Sequence, residues 1–143
     1  MTPATMPEES TTSDPAELTR RVFEAVNQRD IDAVMSFFAP DAVLDGRVEI
    51  CEGRAAIRTF LNEWFSAFAE LRMDVEELTV LGDGVMLALV SQEGLLAGVD
   101  RQVHQREGWA ICWSADGLLV HLTTRPDIDA ARAALASIAR SGE

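Results

Sequence analysis

The chain has 143 residues, of which 48% are hydrophobic, and its formal net charge at pH 7 is −12. This length suits one domain with a real core, and the negative charge excludes nucleic acid and anionic membranes as partners. The basic residues are all arginines and tyrosine is absent, so a lysine Schiff base and a phenol donor are both excluded.

The first 13 residues are rich in Thr, Pro, Glu and Ser and lack the basic start and apolar run of a signal peptide. We therefore predict a disordered tail over 1–13, a single domain over 14–140 and a cytoplasmic location. The two cysteines and two histidines do not have the spacing of metal ligands. We expect no metal and no other cofactor.

Three helices are predicted in the first half of the chain from apolar residues that recur at helical spacing. The first begins at Asp14-Pro15, where a capping acid precedes a proline suited to the first helical turn. The second follows a capping acid at Asp30 and ends before Pro40. The third covers Arg54 to Phe68 and has the clearest period, so we expect it to pack against a sheet.

Several strands are predicted between and after these helices. A brief strand over 42–44 leads into an Asp45-Gly46 turn. The apolar positions change phase near Glu76-Glu77, which predicts a β-bulge and hence a bent strand. An apolar run from Val85 to Gln92 is typical of a strand buried on both faces, and we interpret Glu93 to Asp100 as a connection.

A hairpin from Val103 to Thr124 completes the predicted sheet, with a two-residue turn at Asp116-Gly117. Counting outward from this turn predicts the cross-strand pairs Trp113–Val120, Ile111–Leu122, Trp109–Thr124, Cys112–His121 and Ala110–Thr123. The tryptophan side of the hairpin needs a cover of helices, and a last helix begins at Pro126-Asp127. The predicted fold class is α+β, with helices packed on a curved antiparallel sheet around a pocket.

Three stretches of the sequence carry a family resemblance: Phe23 to Asp32, Phe38 to Leu44 with Glu52 to Ile57, and Asp116 to Val120. With the order of elements, they make the chain similar to the NTF2-like superfamily, in particular to SnoaL-like proteins, which are relatives of ketosteroid isomerases and polyketide cyclases. The resemblance implies a cone of helices and bent sheet that encloses an apolar pocket. Such proteins include isomerases, cyclases, epoxide hydrolases, dehydratases and inactive members, so the fold alone does not select a reaction.

The same resemblance places the catalytic tyrosine and two aspartates of the isomerases at Val22, Gly46 and Trp109. All three groups are missing, so we do not expect ketosteroid isomerisation. Asp45 is one residue away from the base position, although its side chain would point the wrong way unless a bulge corrects it. Cyclase-like relatives carry an acid near the end of the last strand, for which Asp127 is the candidate, with helix capping as the favoured alternative.

Side-chain alternation predicts the pocket lining. The ligand-binding candidates are Val22, Trp64, Ala88, Val90, Gln92, Gln105, Trp109, Ile111, Trp113, Leu122 and Thr124. Glu107 shares this face and is a catalytic candidate with Asp45 and Asp127, since a carboxylate partly removed from water suits proton transfer. The simpler alternatives are a solvated acid for Glu107 and turn chemistry for Asp45.

Other polar residues have weaker assignments. Arg47 and Arg72 fit an acidic ligand, but solvated arginines at strand ends are the simpler interpretation. We interpret His104 and His121 as surface or interface groups, because both fall on the face opposite the tryptophans.

Three functions remain open. The first is an enzyme that catalyses proton transfer, cyclisation or hydration on a small apolar substrate, using Asp45 or Glu107. The second is a non-catalytic protein that binds an apolar metabolite, which Gln92 or Gln105 would orient. The third is an assembly module that acts through the outer face of the sheet.

A homodimer through that outer face is also predicted. The alternation gives this face small or apolar residues and no charge: Leu87, Leu89, Gly108, Ala110, Cys112, His121 and Thr123. Exposed leucines on an uncharged face are commonly buried by a second copy about a two-fold axis.

Overall fold

The computed structural model describes residues 14–46 and 49–141, with side chains described up to residue 137. The predicted tail and Arg47 lie outside the described residues. The elements follow the order α1 (Pro15–Asn27), α2 (Ile31–Ser36), β1 (Phe38–Asp45), β2 (Ile50–Glu52), α3 (Arg54–Ser66), β3 (Phe68–Gly82), β4 (Val85–Leu96), β5 (Gln102–Trp113), β6 (Leu119–Arg125) and α4 (Ile128–Ser141). The fold class is α+β, as predicted.

The six strands form one sheet in the order β2-β1-β6-β5-β4-β3. All neighbours are antiparallel except β1 and β6, which are parallel, so the predicted antiparallel sheet contains one parallel pair. The pairing of β3 with β4 shifts between Val75 and Glu77, where the predicted bulge falls. A bulge bends a strand and increases its twist, so the long strand β3 curves around the core.

Capping acids begin the first two helices as predicted. The Asp14 carboxylate accepts from the Ala16 backbone N–H at 3.1 Å, and the Asp30 carboxylate accepts from the Ala33 N–H at 3.1 Å. The helices end earlier than expected, because Phe38 belongs to β1 and Phe68 to β3. At both places, backbone groups that the apolar pattern had assigned to a helix form their hydrogen bonds in the sheet instead.

Two polar side chains at the end of α1 attach this helix to the rest of the molecule. The Asn27 carboxamide donates to the Met73 carbonyl at 2.8 Å and accepts from the Met73 N–H at 2.7 Å. The Arg29 guanidinium donates to the Phe65 and Phe68 carbonyls, each at 2.6 Å. These bonds hold α1, the end of α3 and β3 together.

The central hairpin has the predicted register in its long part, with the pairs Trp109–Thr124, Ala110–Thr123, Ile111–Leu122 and Cys112–His121. The tip differs, because Trp113 pairs with Leu119 rather than with Val120. The turn has three residues, with Gly117 at a φ of 83° and the Ser114 N–H bonded to the Leu118 carbonyl at 2.7 Å. A register shift after Cys112 then restores the predicted pairing.

Strands β4 and β5 are longer than predicted. They remain paired as far as Leu95 and Gln102, so the first half of the stretch interpreted as a connection, from Glu93 to Leu96, is strand. Its polar side chains misled the prediction, because only one side of the sheet is covered there. Glu93 and His104, which pair across the strands, are both exposed.

Helix α4 packs on the outer face of the sheet. Leu87 and Ala110 are each 1% exposed and form a small core with Ala131, against which Ile128 and Leu135 pack. A Cβ on Gly108 would overlap the backbone of Asp127, so the glycine permits the close approach of the helix start. The prediction that this face is bare was therefore wrong, because the chain covers its centre with its own last helix.

Candidate functional site

A cavity of about 420 Å³ lies between helices α1 to α3 and the inner face of the sheet. Its lining is mostly apolar and includes four aromatic rings. The residues that line it are Val22, Val26, Val34, Phe38, Leu44, Gly46, Phe60, Leu61, Trp64, Gln92, Gln105, Glu107, Trp109, Leu122 and Thr124. This volume and chemistry are typical of a site for a small organic molecule.

Most of the predicted ligand-binding residues line this cavity, namely Val22, Trp64, Gln92, Gln105, Trp109, Leu122 and Thr124. Ala88, Val90, Ile111 and Trp113 do not, because their side chains are packed within the hydrophobic core. Ala88 and Val90 are fully buried, and Ile111 and Trp113 are 2% and 4% exposed. Alternation along a strand predicts the side to which a residue points, but not whether that side is filled.

The closed end of the inner face is formed by Thr19, Met86 and Trp113. The Trp113 indole N–H donates to the Thr19 hydroxyl at 3.0 Å, and this hydroxyl donates to the Pro15 carbonyl at 2.8 Å. Thr19 is 1% exposed and Met86 is fully buried. The polar group of this tryptophan is therefore satisfied inside the core, with no opening toward a ligand.

The polar end of the inner face is formed by Gln92, Gln105, Glu107 and Trp109, all of which line the cavity. The Trp109 indole N–H donates to Oε1 of Glu107 at 2.8 Å, and Nε2 of Gln105 donates to Oε2 at 3.2 Å. The same Nε2 lies 3.5 Å from Oε1 of Gln92. Glu107 is 8% exposed, so these charge-assisted bonds offset part of the cost of its burial.

The backbone explains why these groups meet. Gln105, Glu107 and Trp109 alternate along β5 and therefore point to the same face. The register with β4 places Gln92 opposite Gln105, where the two side chains are neighbours. This arrangement follows from side-chain alternation, which is why the sequence already placed these residues together.

Glu107 is the only charged side chain among the described residues that line the cavity. The opposite wall is aromatic: Trp64 stacks on Phe65 with ring centroids 5.3 Å apart, and Phe60 also lines the cavity. The site therefore combines one carboxylate with apolar area suited to a ring system.

The structure places Asp45 and Asp127 elsewhere. The side chain of Leu44 lines the cavity, while the next residue, Asp45, has its carboxylate paired with Arg125 at 3.0 Å. No register shift intervenes between Leu44 and Asp45, so the two side chains point to opposite faces. The Asp127 carboxylate accepts from the Ala130 N–H at 2.8 Å and caps α4.

The outer face around Asp45 also contains His121. Burial lowers the pKa of His121 most, the Asp45 carboxylate raises it, and Arg125 lowers it again. The Nδ1 of His121 lies 3.3 Å from the Thr123 hydroxyl. A half-buried imidazole with a depressed pKa is neutral near pH 7.

The remaining polar candidates lie on the surface. The exposed His104 lies 3.5 Å from the Glu93 carboxylate, and Arg72 pairs with Asp74 at 3.0 Å. None of these residues lines the cavity. Within the described parts of the chain, no group of three or more His, Cys, Asp or Glu side chains is arranged to hold a metal ion.

Several cavity residues were not selected from the sequence: Val26, Val34, Phe38, Leu44, Gly46, Phe60 and Leu61. Phe60 and Leu61 lie on the apolar stripe of α3, so a signal for them existed. Phe38 was hidden because the sequence pattern assigned it to a helix, whereas Leu44 lay inside the predicted strand and was not selected. Gly46 has no side chain and gave no signal of its own.

The fold places this chain in a known structural class. A search of solved structures finds an NTF2-like protein of unknown function from Burkholderia pseudomallei, with a TM-score of 0.71 and 17% sequence identity over 80% of this chain and 92% of that one. The predicted NTF2-like fold is therefore confirmed. No helix in the described residues has the length and apolar character needed to cross a membrane.

The sequence itself gives the family. Residues 19–122 match the family described as SnoaL-like domain, which is more than half of the chain, and the chain belongs to this family. No protein of curated function matches it.

Two further solved structures are similar in fold. One is described as an epoxide hydrolase/cyclase-like enzyme, SalBIII, in pyran ring formation in the polyether salinomycin; its TM-score is 0.70 at 19% identity over 78% of this chain and 88% of that chain. The other is a Mycobacterium tuberculosis protein in complex with estradiol-17beta-hemisuccinate, with a TM-score of 0.69 at 14% identity over 80% and 92% of the chains. At these identities the likeness concerns the fold.

Proposed function

We propose that this protein binds a small, largely apolar molecule in its cavity and catalyses proton transfer on it with Glu107. The observation that carries the proposal is a buried carboxylate held by two donors at the wall of a mostly apolar cavity. The similarity in fold to a cyclase-like enzyme and to a protein in complex with a steroid derivative supports a small-molecule role. They do not specify the substrate.

The Glu107 carboxylate has the chemistry of a general base. It would take a proton from a carbon next to a carbonyl group, leaving an enolate and a carboxylic acid, and then return the proton to the same or another carbon. The Trp109 indole and the Gln105 carboxamide hold the carboxylate in one orientation, which reduces the cost of positioning it for each turnover. Isomerisation and cyclisation both use such a step.

Binding without chemistry is the second candidate. It is favoured by the mostly apolar lining of the cavity, since such a lining holds a small molecule whether or not a reaction follows. In this case Glu107 would orient a bound molecule by accepting a hydrogen bond from it. The two candidates agree on the site and differ in whether a carbon–hydrogen bond is broken.

Hydrogen–deuterium exchange distinguishes them. The probe is 2-tetralone, a bicyclic ketone with acidic C–H groups beside its carbonyl, dissolved in deuterium oxide with and without the protein. We expect wild-type protein to accelerate exchange at these carbons over buffer, followed by proton NMR, because general-base catalysis contributes about a hundredfold. Binding is measured in parallel by quenching of tryptophan fluorescence.

Two variants locate the effect. Glu107→Gln keeps the shape of the side chain but cannot accept the proton, so it should bind the ketone and lose the acceleration. Glu77→Gln makes the same change on the exposed surface of β3 and should behave as wild type. Saturable binding with no faster exchange in wild type would reject proton transfer in favour of binding alone.

The other predictions made from the sequence about location and assembly remain predictions. They include a cytoplasmic location, assembly as the main role, and pairing with a second copy. Pairing through the outer face would have to use the area that α4 leaves open, around His121 and Cys112, which are partly exposed. Sedimentation of the protein at tens of micromolar measures it.

A further inference from the structure

The carboxamide of Gln92 is almost completely buried at the edge of the cavity. Gln92 is 4% exposed and lines the cavity. Its oxygen Oε1 faces Nε2 of Gln105 at 3.5 Å. Its own NH₂ group has no hydrogen-bond partner among the described residues. A buried polar group without a partner is costly, and a bound molecule would supply one.

The chain of hydrogen bonds at the polar end fixes the orientation of this carboxamide. An ionised carboxylate only accepts, so Glu107 requires Gln105 to present its NH₂ group. That NH₂ group only donates, so Gln92 must turn its oxygen toward Gln105. The NH₂ group of Gln92 is therefore the last group in this series of hydrogen bonds and is available to a molecule in the cavity.

We infer that Gln92 is a ligand-binding residue whose NH₂ group donates to an acceptor oxygen of a neutral, largely apolar ligand. The inference rests on the proposed function, because it concerns the same cavity. Gln105 has a positioning role: it connects Gln92 to Glu107 and sets the direction of both groups. A ligand oxygen at Gln92 also lies on the wall that holds Glu107, since their strands are neighbours.

The alternative ligand chemistry is a cation. An ammonium group would be attracted to Glu107 and to the aromatic wall, but it has no acceptor for Gln92 and would leave the buried NH₂ group without a partner. A hydrocarbon would also leave it without a partner. Of these three kinds of molecule, only one with an acceptor oxygen gives the Gln92 NH₂ group a partner.

Three bicyclic probes of the same size test this inference in the intact protein: tetralin, which has no polar group, 2-tetralone, which has an acceptor oxygen, and 2-aminotetralin, which is a cation at pH 7. Affinities are measured by fluorescence quenching. We expect the ketone to bind wild type about tenfold more tightly than the hydrocarbon, because it satisfies a buried donor. This ranking in wild type needs no variant.

A variant then locates the preference. Gln92→Met has a similar length and no hydrogen-bonding NH₂ group, so the ketone should lose its advantage while tetralin binds as before. Gln102→Met, on the exposed part of β5, should keep the wild-type ranking. An unchanged preference in Gln92→Met would overturn the inference.

The other outcomes are equally distinct. Equal binding of tetralin and 2-tetralone to wild type, or tightest binding of the amine, would overturn the inference and leave the proposed cavity intact. Failure of all three probes to bind would overturn the proposed function and this inference together. Preferential ketone binding without hydrogen exchange would support the Gln92 site and reject catalysis.

Discussion

Two tryptophans four residues apart on β5 have different roles, although they point to the same face of the sheet. The Trp113 indole donates to Thr19 at the closed end, where it completes the core. The Trp109 indole donates to Glu107 at the polar end, where it orients a carboxylate beside a cavity. The comparison teaches that the side chains that surround a buried ring, and not the residue type, decide whether the ring stabilises the fold or builds a site.

The largest expected difference between the two ends is in stability. Trp113→Ala removes a ring from a filled core and should lower the free energy of unfolding by about 3 to 5 kcal/mol. Trp109→Ala should cost about 1 kcal/mol less, because part of its ring already borders empty space. Chemical denaturation measures both, and a larger loss for Trp109→Ala would mean that the ends are assigned the wrong way round.

Added volume should also distinguish the filled core from the cavity, with the larger loss of stability again in the filled core. Ala88 is fully buried and does not line the cavity. Ala88→Leu should therefore overpack the core and lower the free energy of unfolding by about 3 kcal/mol. Val26 lines the cavity, and Val26→Leu should change stability by no more than about 0.5 kcal/mol because the extra carbon enters open space. Equal losses in denaturation experiments would show that the cavity is filled in solution.

The hydroxyl of Thr19 offers a finer test of the closed end. Thr19→Val keeps the shape but leaves the Trp113 indole N–H without its acceptor, at a cost of about 2 kcal/mol. Thr59→Val is the control, since Thr59 also donates to a carbonyl four residues back but is exposed on α3. If the two substitutions lower stability equally, the buried bond to Trp113 has no special weight.

The smallest expected effect lies on the outer face, behind both tryptophans. The pKa of His121 is lowered in the folded protein, so the unfolded chain takes up its proton first as the pH falls below about 6.5. Stability should therefore be full above that pH and decrease below it, and His121→Gln should lack this part of the decrease. Ligand binding should be the same in both proteins, because the imidazole faces away from the cavity; a change in affinity would contradict the assignment of faces.

Much of the secondary structure and strand register could be predicted, because the sequence signals for them are local. Asp14-Pro15 marks a helix start, the phase change near Glu76 marks a bulge, and alternation along β5 puts Gln105, Glu107 and Trp109 on one face. The hairpin register was right along most of its length because two one-residue shifts compensate. These features depend on neighbours in sequence or directly across a strand.

The rest depends on contacts between distant segments. Alternation does not show that Trp113 meets Thr19, more than ninety residues away, and so it does not distinguish the closed end from the polar end. Nor does it show that α4 returns over Leu87. The sequence also does not predict that Asn27 attaches α1 to β3, since a single asparagine at the end of a helix has many uses. The depth of the cavity and the position of its closed end depend on how the helices and the sheet pack together.

The most direct test of the central claim is a proton–nitrogen NMR titration that follows the three tryptophan indole N–H signals while 2-tetralone is added. Single Trp→Phe variants assign the signals. We predict that the Trp109 signal shifts with saturable binding and that the Trp113 signal stays in place, because Trp109 lines the cavity beside Glu107 and Trp113 does not line it. A shift of Trp113 with no change at Trp109, or saturable binding that moves neither signal, would contradict the placement of the site at the polar end.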